Sequence, residues 1–336
     1  MDPELPNAAK REASFDHVKG ADPPRSALPA EPALPAEPGA AAVGRPARLK
    51  VGVVGVGRVG ATLGAALARA GHRVVAASGV SARSRARADR LLPGVRLSDP
   101  QRVAAAADLV LLTVPDDVLP GLVAGLVQTD APLNGRMLMH ASGRYGASVL
   151  DPATARGALP LAVHPIMTFT GRPEDIDRLS GVSFGVTAPQ ALLPVAQALV
   201  IEMGGDPVVI AEENRGLYHA ALATASNHLI TLIAEASDLL RNAGVSDPSR
   251  MLGPLLSASL DNALRLGIAG LTGPVARGDA GTVASHLDAM RRAAPPAAVT
   301  AYVAMARLTA DRAIAAGMLK PQDAEYLLDV LSGGPR

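Results

Sequence analysis

The chain has 336 residues, enough for two domains of ordinary size, and a net charge of +1. That balance excludes broad electrostatic capture of nucleic acid or of an acidic membrane surface. There is no cysteine, so disulfides and thiol catalysis are excluded and a reducing, cytoplasmic setting is expected.

Residues 1–47 are dense in proline, and Ala27 to Pro38 is a tandem repeat of Ala-Leu-Pro-Ala-Glu-Pro. Proline fixes φ and removes donors, and too little apolar surface remains to offset chain entropy, so this stretch reads as a disordered, partly extended tail. The start, Met1-Asp-Pro-Glu-Leu-Pro, lacks the basic and apolar parts of a secretory signal. No apolar run reaches the ~18 residues of a membrane span, so no membrane association is expected.

The organising stretch is Leu49 to Gly60. Val51, Val53 and Val54 suit a strand buried on both faces. Gly55, Gly57 and Gly60 then stand at G-x-G-x-x-G spacing, and Ala61 to Arg69 continues as a helix. The first glycine permits a tight turn, the second lets backbone approach a pyrophosphate, and the third lets helix lie close to strand. The helix then directs unpaired N–H groups at the phosphates. The expected cofactor contacts here are Gly55, Gly57, Arg58, Val59 and Gly60.

A second strand follows at Arg73 to Ser78. The residue ending that strand selects the cofactor: an acid would hold the ribose hydroxyls of NAD. Here the chain reads Ser78-Gly-Val-Ser81-Ala-Arg83-Ser84-Arg85, with no acid before Asp89. Hydroxyls and arginines suit a 2′-phosphate, so NADP(H) is expected, with Ser78, Ser81 and Arg83 as contacts. The alternative is that Arg83, Arg85, Arg87 and Arg90 form the solvated face of a helix.

Further strands are expected at Val95–Leu97, Asp108–Pro115, Arg136–Gly143 and Ala162–Pro165, with a helix over Pro100–Ala107. The turns Val114-Pro115 and Ser142-Gly143 would lie at the carboxyl edge of the sheet, where open α/β sheets bind ligands. Val182–Ala188 and Pro207–Ile210 add β segments around a helix at Pro189–Met203. From Glu212 to Leu331 helices dominate, beginning with one of roughly 31 residues, ~46 Å long, to about Asn242. A helix so long and apolar is expected to pack on others, including those of a second subunit. The expected fold is α/β: a doubly wound parallel Rossmann sheet over 48–211, then an all-helical C-terminal domain for substrate and dimerisation over 212–331.

With Gly55-Val-Gly-Arg-Val-Gly60, Thr113-Val-Pro-Asp116, His140-Ala-Ser-Gly143, His164-Pro-Ile-Met-Thr-Phe-Thr-Gly171 and Leu271-Thr-Gly-Pro-Val-Ala-Arg-Gly-Asp279, the chain resembles Rossmann-type oxidoreductases of the 6-phosphogluconate dehydrogenase superfamily. It looks closest to a bacterial branch with a C-terminal domain of unknown function. Better-known relatives are pyrroline-5-carboxylate reductase, prephenate dehydrogenase and ketopantoate reductase. The resemblance covers about residues 48–331 and implies reduction of a small C=O or C=N compound by NADPH. One departure stands out. Many β-hydroxyacid dehydrogenases of the superfamily carry Lys-x-x-Asn-Asn on the long helix. Here the equivalent stretch reads Ala223-Thr-Ala-Ser-Asn227-His228, and the only lysine after Lys50 is Lys320. The spacing His219…Asn227-His228 is similar to the helix pattern of prephenate dehydrogenases.

Hydride delivery leaves charge that a proton must neutralise, and histidine titrates in the useful range. His164, at a strand's carboxyl end, is the first candidate, with a strand-capping role as its alternative. His219 and Asn227 join it as candidate catalytic residues. His219 and His228 are nine residues apart, ~900° along a helix, and so face opposite ways. Thr168, His228, Thr272 and Arg277 are candidate substrate contacts, the arginine for a carboxylate. No metal site is expected, because the histidines show no ligand spacing. The expected function is NADPH-dependent reduction of a small keto acid. Ketopantoate as the substrate, and pantothenate biosynthesis as the setting, are what the family resemblance implies and not what these residues specify. The alternatives are a pyrroline-carboxylate-type imine reductase, a prephenate-like dehydrogenase and an NADP(H)-binding sensor without turnover.

Overall fold

The computed structural model describes residues 48–333. The proline-rich tail expected over 1–47 lies outside the described residues. Alternating elements run β1 (Lys50–Val54), α1 (Arg58–Arg69), β2 (Arg73–Ser78), α2 (Ala82–Leu91), β3 (Arg96–Leu97), α3 (Pro100–Ala106), β4 (Leu109–Leu112), α4 (Leu119–Gln128) and β5 (Met137–His140). A short turn of helix, α5 (Asp151–Thr154), precedes β6 (Leu159–Pro165), and another, α6 (Glu174–Asp177), precedes β7 (Ser183–Thr187). Then come α7 (Leu193–Glu202) and β8 (Asp206–Val209).

The eight strands form one sheet in the order β3-β2-β1-β4-β5-β6-β7-β8. β4 is buried throughout and β1 in all but its first residue, which is why they read as continuous apolar runs. Apolar clusters cover both faces: Leu63 and Leu67 of α1 with Phe184 on one side, Val103, Leu119 and Val123 on the other. The strand order reverses between β1 and β4, and the glycine loop leaves the sheet at that crevice.

A fully parallel sheet is not what forms. β7 runs antiparallel to β6, pairing Pro165 with Phe184 and His164 with Gly185, while β8 is parallel to β7. A parallel crossover needs a dozen or more residues, usually helical. The connection 166–182 is long enough for one but carries only the four-residue α6 behind Gly171-Arg-Pro173. No helix takes the chain across the sheet there, and it turns back at the carboxyl edge. The connection between β7 and β8, with the ten-residue α7, makes the parallel crossover.

Beyond β8 the chain is helical: α8 (Arg215–Ala223), a π turn (Thr224–His228), α9 (Leu229–Asn242), α10 (Pro248–Leu266), α11 (Ala280–Ala293), α12 (Pro296–Ala315) and α13 (Pro321–Ser332). The single long helix expected from Glu212 is therefore interrupted by a π turn. Leu287, Ala310, Ala313 and Leu327 make the core of α11 to α13. In contrast, α9 buries no residue and α10 buries only Pro248. No described helix is long and apolar enough to cross a membrane.

Candidate functional site

The glycine loop has the shape of a phosphate cradle. Gly55 adopts φ +96°, and a Cβ there would lie 2.7 Å from the Thr113 carbonyl oxygen, so no side chain fits. At Gly60 a Cβ would collide with the Gly55 carbonyl and the Thr113 hydroxyl, which itself donates to the Gly55 oxygen at 2.8 Å. The Ser78 carbonyl accepts from Gly55 N–H and Val56 N–H, both at 3.0 Å, locking the loop to β2. The N-cap of α1, Gly57, offers no capping side chain. The first N–H groups of the helix, on Arg58, Val59 and Gly60, are thus left for an external acceptor. Val114 flanks the loop, its Cγ1 standing 3.2 Å from where a Gly55 Cβ would be, and Pro115 starts the next turn.

The phosphate contacts expected after β2 are placed differently. Ser81 caps α2: its oxygen accepts from Ser84 N–H and its hydroxyl donates to the Ser84 hydroxyl. Arg83 is exposed, and Arg85 donates to the Val80 carbonyl. Arg58 reaches the Phe169 carbonyl at 3.4 Å.

A cavity of about 430 Å³ lies at the carboxyl end of β6, lined by His164, Met167, Thr168, His219, Ala223 and Asn227 among others. Three expected catalytic residues, His164, His219 and Asn227, and one expected substrate contact, Thr168, are brought together here. Gly143 adjoins the same place: a Cβ on it would lie 2.8 Å from His219 Cδ2 and 3.0 Å from His164 Nε2. Only glycine leaves room for both rings. The imidazoles of His164 and His219 meet edge-on, with centroids 6.3 Å apart.

Four other candidates lie outside this cavity or have their polar groups engaged elsewhere. His228 is exposed and outside the cavity lining, because it falls on the far side of the helix and the π turn shifts the phase beyond Thr224. Thr272 and Arg277 do not join the cavity of their own chain. The Arg277 guanidinium donates to the Thr272 carbonyl, closing the loop on itself. Neighbouring Gly273 and Pro274 line a separate cleft with His286 and Tyr302. The Ser142 hydroxyl oxygen accepts from Arg144 and Tyr145 N–H, at 3.2 and 3.1 Å, so it caps a turn.

Two residues escaped the sequence reading. Arg215, the first residue of α8, is only 2% exposed. It donates to Thr187 Oγ1 (2.8 Å) and to the carbonyls of Ala162 (3.0 Å), Gly185 (3.1 Å) and Ser142 (3.5 Å). This bolts the first helix to β5, β6 and β7 without a carboxylate. One turn later, Tyr218 Oη lies 2.7 Å from His164 Nδ1. The Arg215 guanidinium carbon sits 5.6 Å from the Tyr218 ring.

The electrostatics follow from this packing. Burial, then the charge of Arg215, then His219 and His140 push His164 down to a pKa of about 4, so it is neutral at pH 7. Burial raises Tyr218 above its usual value despite Arg215. His140 is fully buried and also sits near pKa 4, chiefly through desolvation. Ser142 N–H donates to His140 Nδ1, so Nε2 carries the proton and donates to the Gly146 carbonyl at 2.8 Å. His140 is a structural residue.

By sequence, the Rossmann-like domain family matches residues 36–165, and the domain family of unknown function DUF2520 matches 182–309. The second match begins within the sheet, just before β7. A search of curated proteins finds no sequence relative. Among solved structures, the chain is similar to a protein described as an NADP oxidoreductase from Bacteroides fragilis, with 19% identity, a TM-score of 0.65, and 79% of this chain and 98% of that one covered. It is similar also to an imine reductase from Streptomyces aurantiacus, with 19% identity, TM-score 0.58 and coverages of 79% and 95%. A reductive aminase from Aspergillus terreus, in complex with NADPH and ethyl levulinate, has 17% identity, TM-score 0.60 and coverages of 81% and 95%. At these identities the likeness establishes the fold.

Proposed function

We propose that this protein is an NADP(H)-dependent oxidoreductase that reduces a small keto acid, with ketopantoate as the first substrate to test. The cofactor assignment is supported by the glycine cradle, by the absence of an acid at the end of β2 and by the NADP(H) named for the structural relatives. Gly55, Gly57, Arg58, Val59 and Gly60 would hold the diphosphate, with Val114, Pro115, Ser142 and Gly143 along the path to the cavity. The reduced nicotinamide, when bound, supplies a hydride.

One observation carries the choice of a carbonyl substrate: a neutral His164, backed by Tyr218 and Arg215, faces a cavity with no acidic lining residue. The Tyr218 hydroxyl donates to Nδ1, which leaves the proton of the neutral imidazole on Nε2, beside Gly143 and His219. Negative charge growing on a carbonyl oxygen is met there by the Nε2–H and by the field of Arg215. As Nε2 gives its proton to that oxygen, Nδ1 takes the tyrosine proton, and the phenolate left behind faces the guanidinium. This relay takes the place of the missing helix lysine. Asn227 and Thr168 orient the substrate from the cavity wall.

The names of the imine reductase and the reductive aminase support a second reading, reduction of C=N. An iminium is cationic and gains nothing from Arg215, which favours the carbonyl. Assays of NADPH oxidation with keto acids, ketopantoate among them, and with cyclic imines test the choice. Turnover of keto acids supports the proposal, and turnover of imines alone supports the second reading. Binding of NADPH with neither activity identifies a sensor.

We also divide the chain at 211, between sheet and helices, and propose a homodimer. Leu255, Leu260 and Leu264 of α10 are 60%, 53% and 79% exposed, and a second copy of the same helices would cover them. The cysteine-free composition supports a cytoplasmic site of action.

A further inference from the structure

Three arginines converge beside the glycine loop without an acid. Arg87, on the second turn of α2, places Nη1 3.4 Å from the Val56 carbonyl inside the loop. Arg90 donates to the Gly171 carbonyl at 2.8 Å, and Arg58 to that of Phe169. The backbone of Gly171 presses on two of them: a Cβ there would lie 2.6 Å from Arg87 Nε and 2.8 Å from Arg58 Cγ. Arg87 Nε is buried and has no hydrogen-bond partner, the one such side-chain atom among the described residues. None of the three arginines takes part in an ion pair among the described residues. The buried acid of this segment, Asp175, is spent on the N–H groups of Thr170 and Gly171 and on the Thr170 hydroxyl. Burial and the charges of Arg58 and Arg90 lower the pKa of Arg87.

Guanidinium groups held only by backbone carbonyls lack a counter-charge, and a phosphate dianion is the partner their planar forks match. Ser81 is spent as a helix cap, and Arg83 points into solvent with no fixing contact. We propose that Arg87, backed by Arg58, recognises the cofactor 2′-phosphate and thereby discriminates NADP(H) from NAD(H), in place of Ser81 and Arg83. The proposal rests on the cofactor reading above. It also links cofactor to substrate, because the segment these arginines hold supplies Ile166, Met167 and Thr168 to the cavity.

The test is calorimetric titration of the full chain and of the variants Arg87→Gln, Arg87→Lys and Arg83→Gln with NADPH, NADH, 2′,5′-ADP and 5′-AMP. Loss of one charge-assisted contact predicts that Arg87→Gln weakens NADPH and 2′,5′-ADP by about 10- to 100-fold, with NADH and 5′-AMP changed by less than about threefold. Arg87→Lys keeps the charge and recovers part of the loss, and Arg83→Gln matches the parent. Equal weakening of all four ligands, or a loss confined to Arg83→Gln, overturns the proposal. If the parent prefers NADPH while both Arg87 variants bind it normally, the proposal falls and the cofactor reading stands. If the parent binds none of the ligands, both fall.

Discussion

Replacing Gly57 with Asp separates the glycine loop's structural duty from its binding duty. Gly57 is the N-cap of α1, with φ −68° and ψ −170°, a conformation open to any residue. A Cβ there meets nothing nearer than the Gly55 oxygen at 3.9 Å, so the side chain enters open space without strain. The carboxylate gives α1 the cap it lacks and a negative charge at the positive end of its dipole. Together these stabilise the free protein by about 0.5–1.5 kcal/mol. The same carboxylate occupies the N–H groups a diphosphate needs and repels it. Losing two charge-assisted hydrogen bonds at ~1.5–3 kcal/mol each weakens binding by about 10²- to 10⁴-fold. Thermal melting without ligand and titration of NADPH by nicotinamide fluorescence read the two effects separately. The expected variant is at least as stable as the parent and nearly blind to NADPH. Affinity within about threefold of the parent would refute the placement of the diphosphate.

Gly60→Ala behaves oppositely: the added methyl collides with backbone, so α1 must shift, and a stability loss of several kcal/mol by urea denaturation is expected, against nearly none for Gly57→Ala. His164→Ala lowers turnover by ~10²–10⁴ with little loss of NADPH affinity, and Tyr218→Phe lowers kcat more than it raises KM; a near-normal rate in either removes that residue from the relay. His140 and His164 titrate near pKa 4 when folded but near 6.5 when unfolded. The unfolded chain therefore takes up protons first: stability is whole above about pH 6.5 and falls as pH drops towards 4, by up to about 3 kcal/mol per histidine. Urea midpoints at pH 7.5 and 4.5 measure this, and a smaller drop in His140→Gln is expected. Leu260→Asp on α10 converts a dimer to monomer in sedimentation, whereas a parent already monomeric contradicts the proposed interface.

Much of this architecture was legible because it is written in local chemistry. The Val51–Val54 run and the spacing of Gly55, Gly57 and Gly60 specify a buried strand, a tight turn and a close helix wherever they occur. The carboxyl ends of β5 and β6 were equally plain, since apolar runs stop at Ser142-Gly143 and His164-Pro165. Strand direction was not legible. The Ser183–Thr187 segment looks the same whichever way it pairs, and what separates the two outcomes is that the connection before it lacks a helix long enough to cross the sheet. The π turn at Thr224–His228 carries no proline or glycine to betray it. Arg215 carries no mark in the sequence, because nothing local says that three carbonyls await its guanidinium. Thr272 and Arg277 have suitable chemistry, but the placement of a loop depends on packing between helices distant in sequence. Arg87 was lost among arginines that do face solvent. Its missing partner shows only in three dimensions.

The claim beneath all of these is that the bend between β1 and α1 grips a nicotinamide dinucleotide phosphate. Calorimetric titration of the wild-type chain with NADPH and with NADH measures it directly. The account predicts saturable binding at one site per chain, weaker for NADH, and a melting temperature that rises by several degrees at saturating NADPH. No heat and an unmoved melting temperature with both coenzymes would contradict it.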